Sequence, residues 1–173
     1  GVMSNIEERL NKIEAIQSIN DCLTNYCRAL DWMDEDLLRS CFVEDGFIDY
    51  GFYAGDAKGF IPAVMAVEKD GHSWHLISNV AIEINGDHAE VESYGLTSGG
   101  EIVDGSVQDV NVYCGRYHDE FKKTPDGWKI NRRLYILDNN FSIASEGIRG
   151  DLGGLFLGAN LRTDSEKYRK LNK

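Results

Sequence analysis

The sequence is short of positive charge: 18 lysines and arginines stand against 29 aspartates and glutamates, a formal net charge of −11. Nucleic-acid binding rests on a basic footprint, so this balance argues against a phosphate-backbone partner. It fits a protein that handles small neutral or apolar molecules. No apolar run approaches the roughly 20 residues that span a bilayer, and no membrane segment is expected. The four cysteines, Cys22, Cys27, Cys41 and Cys114, include no Cys-x-x-Cys pair and fit neither a zinc site nor a disulfide framework. No charged-then-apolar leader opens the sequence, and the expectation is a cytoplasmic protein whose cysteines are reduced and mostly buried. Glycine pairs such as Gly99-Gly100 and Gly153-Gly154 lack the strand–loop–helix setting of a phosphate loop, so no nucleotide cofactor is implied.

What is present has the size and apolar content of one domain with a core. Ile6, Leu10, Ile13, Ile16, Ile19, Leu23, Tyr26 and Leu30 fall at steps of three and four, which predicts one apolar stripe on a long helix over 5–30. Asp31 follows at the helix end, where the negative end of the dipole disfavours a carboxylate unless something else uses it. Asp34 reads as the N-cap of a short helix over 35–42, and Glu44-Asp45-Gly46 as a turn before a strand over 47–53. A third helix is expected over 59–67, with Pro62 in its first turn. Beyond Gly71 the period changes to two. Strands over 74–84 and 88–97 flank an Asn85-Gly86-Asp87 turn, and a longer hairpin joins 106–122 to 128–138 around Thr124-Pro125-Asp126-Gly127. Helices first and long antiparallel strands after indicate an α+β domain, helices packed on one side of a curved sheet, with a cone-shaped pocket between. The domain is expected to occupy 1–140. A glycine-rich extension over 141–173, with Gly147, Gly150, Gly153, Gly154 and Gly158, is expected to fold over an opening or reach a neighbouring subunit.

The chemistry concentrates around Gly71-His72-Ser73-Trp74-His75-Leu76-Ile77-Ser78-Asn79. Strand alternation puts His75, Ile77 and Asn79 on one face and Trp74, Leu76 and Ser78 on the other. His75 can exchange a proton near neutral pH, although a histidine at a strand start also has a plain structural reading. The same holds for Asp31 as a solvated helix end, Arg133 as a solvated strand residue and Tyr26 as core with its hydroxyl satisfied. His72, His75 and Asp70 do not make a metal site, because residues i and i+3 on a strand face opposite ways.

Three stretches carry a resemblance to the SnoaL-like branch of the NTF2-like superfamily, the cone-shaped α+β barrel. They are Ile13-Glu14-Ala15-Ile16 through Asn25-Tyr26-Cys27-Arg28-Ala29-Leu30-Asp31 with Leu38-Arg39-Ser40-Cys41-Phe42-Val43-Glu44-Asp45-Gly46; Ser73 to Asn79; and Gly115-Arg116-Tyr117-His118-Asp119-Glu120-Phe121 with Asp126-Gly127-Trp128-Lys129-Ile130-Asn131-Arg132-Arg133. The resemblance is nearest to the bile-acid 7α-dehydratases and the hexachlorocyclohexane dehydrochlorinase. It implies a fold of three N-terminal helices on a strongly curved, mainly antiparallel sheet, and a lyase needing no cofactor or metal that removes HX from a cyclic apolar small molecule. His75 matches the family's base and Asp31 its partner. Tyr26 matches a tyrosine of the bile-acid dehydratases. Arg133 matches an arginine after the Gly-Trp pair, with Arg132 its unexcluded neighbour. Tyr50, Phe47, Trp74 and Tyr113 are the expected substrate-contacting aromatics. An isomerase or cyclase on the same pocket, or a non-catalytic binding or scaffold protein, are the alternative readings, since one fold hosts many functions. A homo-oligomer, dimer or trimer, is expected as well.

Overall fold

A computed structural model describes residues 2–104, 106–144, 162 and 164–172. Helices α1 (Val2–Trp32), α2 (Glu35–Ser40) and α3 (Ala57–Glu68) pack on a six-stranded sheet of β1 (Phe42–Asp49), β2 (Ala54–Asp56), β3 (Gly71–Asn85), β4 (His88–Val103), β5 (Ser106–Thr124) and β6 (Gly127–Ile143); a single turn, α4 (Ser165–Tyr168), lies near the C-terminus. The strand order is β2-β1-β6-β5-β4-β3. Among the described residues only β1 and β6 pair in parallel; every other neighbour is antiparallel. The architecture is the α+β one expected.

The apolar stripe of α1 is buried only in its second half. Ile19, Leu23, Tyr26 and Leu30 are 2% exposed or less, whereas Ile6, Leu10 and Ile13 are more than half exposed. The helix therefore begins beyond the sheet and enters the core near Ala15. There it meets Phe60 and Ile61 of α3, Phe42 and Ile48 of β1, Val91 of β4, Phe121 of β5 and Ile130 of β6. Each such side chain contributes about 1.5–3 kcal/mol on burial. Asp34 caps α2 by accepting from the Leu37 N–H, as the sequence implies, and Asp56 caps α3 by accepting from Gly59. Pro62 falls in the second turn of α3 rather than the first; it faces solvent, where water can serve the carbonyl that its missing N–H leaves unbonded.

Two local readings are corrected. Glu44-Asp45-Gly46 is not a turn between a helix and a strand but an irregular stretch inside β1: Phe42 pairs with Ile130 and Phe47 with Arg132, so β1 carries three more residues than β6 between those points. In β3, a bulge between Ser78 and Ala81 places Asn79 at φ +52° with its side chain exposed. Asn79 therefore does not share the inner face with His75 and Ile77. The bulge shifts the alternation by one: Ser73, His75 and Ile77 face inward before it, and Val80, Ile82 and Ile84 pack on the core after it. This one residue lets a strand carry both the chemistry and the apolar run on a single face.

On the inner face of β4, Ala89, Val91, Ser93 and Gly95 are buried, as their alternation implies. Gly95 and Gly115 leave room for aromatic rings. A Cβ at Gly95 would run into the Tyr117 ring and one at Gly115 into the Tyr135 phenol. The left-handed backbone at Asn79 yields a stability test. Asn79→Val should lose about 1–2 kcal/mol, because a β-branched residue resists that conformation, while Asn79→Gly should stay close to the parent in denaturant unfolding. Equal stabilities for the two variants would show that the bulge relaxes away.

Candidate active site

Asp31 sits in the last turn of α1, against β3, the edge strand of the sheet. An edge strand has N–H groups that no neighbouring strand takes, and His75 turns one of them on Asp31. Its backbone N–H donates to Asp31 Oδ2 at 3.2 Å, and its ring Nδ1 lies 2.6 Å from Asp31 Oδ1. Ser73, two residues back on the same face, donates its hydroxyl to Oδ1 at 3.3 Å. Three donors thus offset the cost of placing a carboxylate at the negative end of a helix. A carboxylate only accepts, so Nδ1 carries a proton, and in the neutral imidazole Nε2 keeps its lone pair. The His75 side chain is only 6% exposed, and its ring meets that of Tyr26 edge-on at 6.4 Å between centroids. Cys27, on the same turn of α1, is no nucleophile: burial, with help from the Asp31 charge, pushes its thiol up to about 12.

Arg133 is fully buried and its fork is filled. Nε and Nη2 donate to the two Asp119 oxygens, each at 2.8 Å, and both side chains are 0% exposed. The guanidinium lies between the rings of Tyr26 and Tyr117, 4.5 and 4.2 Å from their centroids. Burial alone would lower its pKa, but the Asp119 carboxylate outweighs that and holds it well above the ordinary value. Nη1 donates to the Tyr50 hydroxyl at 3.3 Å, and Tyr50 and Tyr26 share a hydrogen bond of 2.6 Å. The result is one chain, Asp119–Arg133–Tyr50–Tyr26, whose last ring touches His75. Arg132 instead points outward over the Phe47 ring, so the choice between the two arginines falls on Arg133.

The expected aromatics divide. Tyr50 is in the chain just described. Tyr113 helps wall a cleft of about 320 Å³ beside the pair, together with Val67, Glu68, His72, Ser73 and Thr97. Thr97 pairs with both His75 and Tyr113 across the sheet, so the three share one face. Phe47 and Trp74 are 45% and 50% exposed and lie on the opposite face, because each precedes an inward-facing neighbour, Ile48 and His75. The structure does not bring them to the pair. Sequence reasoning missed Ser73, Asp119 and Arg162. Alternation could have found Ser73, at i−2 from His75, and Asp119, which stands between Tyr117 and Phe121 on an inward face. Arg162, which donates to the Asp31 carbonyl from 131 residues away, left no such signal. Ser93, whose buried hydroxyl has no partner among the described residues, pairs with Tyr117 on this same inner face.

The tyrosines of this interior keep their protons. Burial holds Tyr26 and Tyr117 well above the ordinary value, raises Tyr50 against the pull of Arg133, and pushes Tyr135 up to about 12. A tyrosine whose folded pKa exceeds the unfolded one near 10 contributes stability that is complete below that pH and is lost as pH climbs toward the folded value. In an alkaline titration followed by tyrosinate absorbance, these four of the eight tyrosines should ionise only as the protein unfolds. All eight ionising reversibly in one wave, with the protein still folded, would contradict the buried network.

The SnoaL-like domain family matches residues 11–134. The uncharacterized protein Rv2910c of Mycobacterium tuberculosis is 30% identical over 122 residues, covering 67% of this chain and 80% of that protein. Among solved structures, the hexachlorocyclohexane dehydrochlorinase LinA-type3 from Novosphingobium barchaimii superposes with a TM-score of 0.65 at 18% identity, over 79% of this chain and 93% of that one. An NTF2-like protein with a cystatin-like fold from Novosphingobium aromaticivorans does so with a TM-score of 0.62 at 24% identity, over 79% and 90%. Helix order, curved sheet and family match agree: this chain belongs to the SnoaL-like domain family.

Proposed function

We propose that the protein is a cofactor-independent lyase that removes HX, water or a hydrogen halide, from a cyclic, largely apolar small molecule. The observation that carries this reading is the 2.6 Å contact between His75 Nδ1 and Asp31 Oδ1, on the inner face of the sheet. His75 Nε2 takes a proton from a ring carbon. The C–H electrons form the new double bond, and the leaving group departs with its own electron pair. Asp31 fixes the tautomer and stabilises the imidazolium as it forms. Tyr26 and Tyr50, protonated at working pH, share one hydrogen bond, and the phenol whose proton that bond leaves free donates to the departing oxygen or halide, or to an enolate oxygen. Arg133 acts through Tyr50, to which Nη1 donates, while Nε and Nη2 hold Asp119. A structural relative being a hexachlorocyclohexane dehydrochlorinase supports the class of reaction, but the substrate rests on the chemistry of the site.

The test is incubation with a panel of hexachlorocyclohexane isomers and cyclic β-hydroxy ketones, with product formation followed by mass spectrometry. The parent should turn over at least one of them, and His75→Ala and Asp31→Asn should each lose about 10²-fold or more in rate. Undiminished turnover by His75→Ala would remove the base from the mechanism. Binding without turnover across the panel would favour a carrier.

The outer face of the sheet supports self-association. Trp74, Leu76, Tyr94, Leu96 and Phe141 are 37–50% exposed there, and Leu76 pairs directly with Leu96. Such a face is costly to leave in water. Sedimentation should give a dimer or trimer of the 19.4 kDa chain, weakened by Leu96→Glu. A monomer for the parent at micromolar concentration would end this idea.

A further inference from the structure

Arg162 reaches the site from the C-terminal extension and spends every donor it has. Nε donates to the Asp31 carbonyl at 3.0 Å. Nη1 donates to the carbonyls of Glu68, at 2.7 Å, and Gly71. Nη2 donates to the Leu30 carbonyl at 3.3 Å and to Ser73 Oγ at 2.7 Å. Leu30 and Asp31 lie in the last turn of α1, Glu68 ends α3, and Gly71 opens β3. The carbonyls of two helix ends, each the negative pole of its dipole, thus converge on one cation. The chain that follows is tied down again: Arg169 pairs with Asp34, and Arg28 donates to Asn172.

We infer that Arg162 is a positioning residue for the Asp31–His75 pair. A guanidinium has donors only, so Ser73 Oγ must accept from it. The Ser73 proton is then directed at Asp31 Oδ1, the same oxygen that receives His75 Nδ1–H. Arg162 thereby fixes the polarity of the Ser73 hydroxyl, the backbone of the acid and the start of the strand that carries the base. Lysine cannot reproduce this, being a single point donor where a planar fork is used.

The cation also sets the electrostatics at the mouth of the site. Around the two imidazoles stand Asp31, Cys27 and Tyr26 from α1, Glu68 from α3, Asp70 just ahead of β3, Glu101 from β4 and Tyr113 from β5, besides Arg162 itself. Glu68 Oε2 lies 3.9 Å from Arg162 Nη2. Burial first, and then the Arg162 charge, hold His72 below the ordinary histidine value. Removing a cation beside an imidazole makes protonation easier, so the titration midpoint must rise.

The test is an NMR titration of the histidine side chains in the parent, Arg162→Gln and Arg162→Lys, with thermal unfolding measured in parallel. It needs no substrate. Arg162→Gln should raise the His72 midpoint by about half a pH unit or more and change the chemical shifts of the His75 ring; Arg162→Lys, which keeps the charge, should leave the His72 midpoint near the parent. An unchanged His72 midpoint and unchanged His75 ring shifts in Arg162→Gln, with only a lower melting temperature, would reduce Arg162 to a structural staple and overturn the inference. Should Arg162→Gln fail to fold, a chemical-shift change of the His75 ring in Arg162→Lys supports the positioning role, and an unchanged ring refutes it. The consequence for rate rests on the lyase reading: kcat should fall about tenfold or more in Arg162→Gln with KM little changed. A raised His72 midpoint and altered His75 ring shifts in a protein that turns nothing over would sink the lyase reading and leave the positioning role standing.

Discussion

A carboxylate at the C-terminal end of a long helix works against the helix dipole, and the fold is arranged around the remedy. Asp31 is held by two donors of His75 and one of Ser73, all on the edge strand β3. That arrangement demands an edge strand with an unpaired N–H at the right height, a helix that stops there, and a register that puts Ser73 and His75 on the same side. The bulge at Asn79 meets the last demand without giving up the apolar face of the rest of β3. One residue of extra backbone joins a polar site to a hydrophobic core along the same strand.

The second arrangement is the buried pair of Asp119 and Arg133. Taking two charges out of water costs several kcal/mol per ion, and their attraction offsets this only when the geometry is good and the remaining donors are used. The geometry here is good: the pairing is two-pronged, two tyrosine rings flank the cation, and Nη1 adds a contact to Tyr50. The pair is therefore better understood as orienting the tyrosines than as adding stability. It fixes Tyr50, Tyr50 fixes Tyr26, and Tyr26 meets the edge of the His75 ring.

Helix ends, the α+β order and the pairing of Asp31 with His75 were legible because they depend on local rules: caps, periodicity and matched spacing along the family's pattern. Asn79 was misplaced because strict alternation cannot reveal a bulge, which announces itself only through the apolar residues changing parity at Val80. Phe47 and Trp74 were drawn to the site by their chemistry although their parity, next to Ile48 and His75, sends them outward. Asp119 stood on an inward face in plain view between Tyr117 and Phe121. Arg162 was out of reach, since no periodicity links it to a helix end more than a hundred residues earlier. Local rules give elements and faces; a contact made by tertiary folding alone has no local trace.

Two arginines sit close to the site of an otherwise strongly acidic chain, and each is neutralised in a different way. Arg133 meets a full opposing charge in Asp119; Arg162 meets mainly carbonyl dipoles at two helix ends, with the charges of Asp31 and Glu68 further contributing. The distinction has a consequence. A buried pair of full charges is locked, because separating it strands an ion in a low dielectric. A cation held by dipoles at a half-buried position gives up less on leaving, since water can replace the carbonyls. The interior side of His75 is thus rigid, backed by Tyr26 and Arg133, while its outer support at Ser73 depends on a side chain from the extension. On the proposed lyase reading, a base that meets an apolar substrate in one orientation is well served by a fixed wall behind it and a support that arrives with the C-terminal segment.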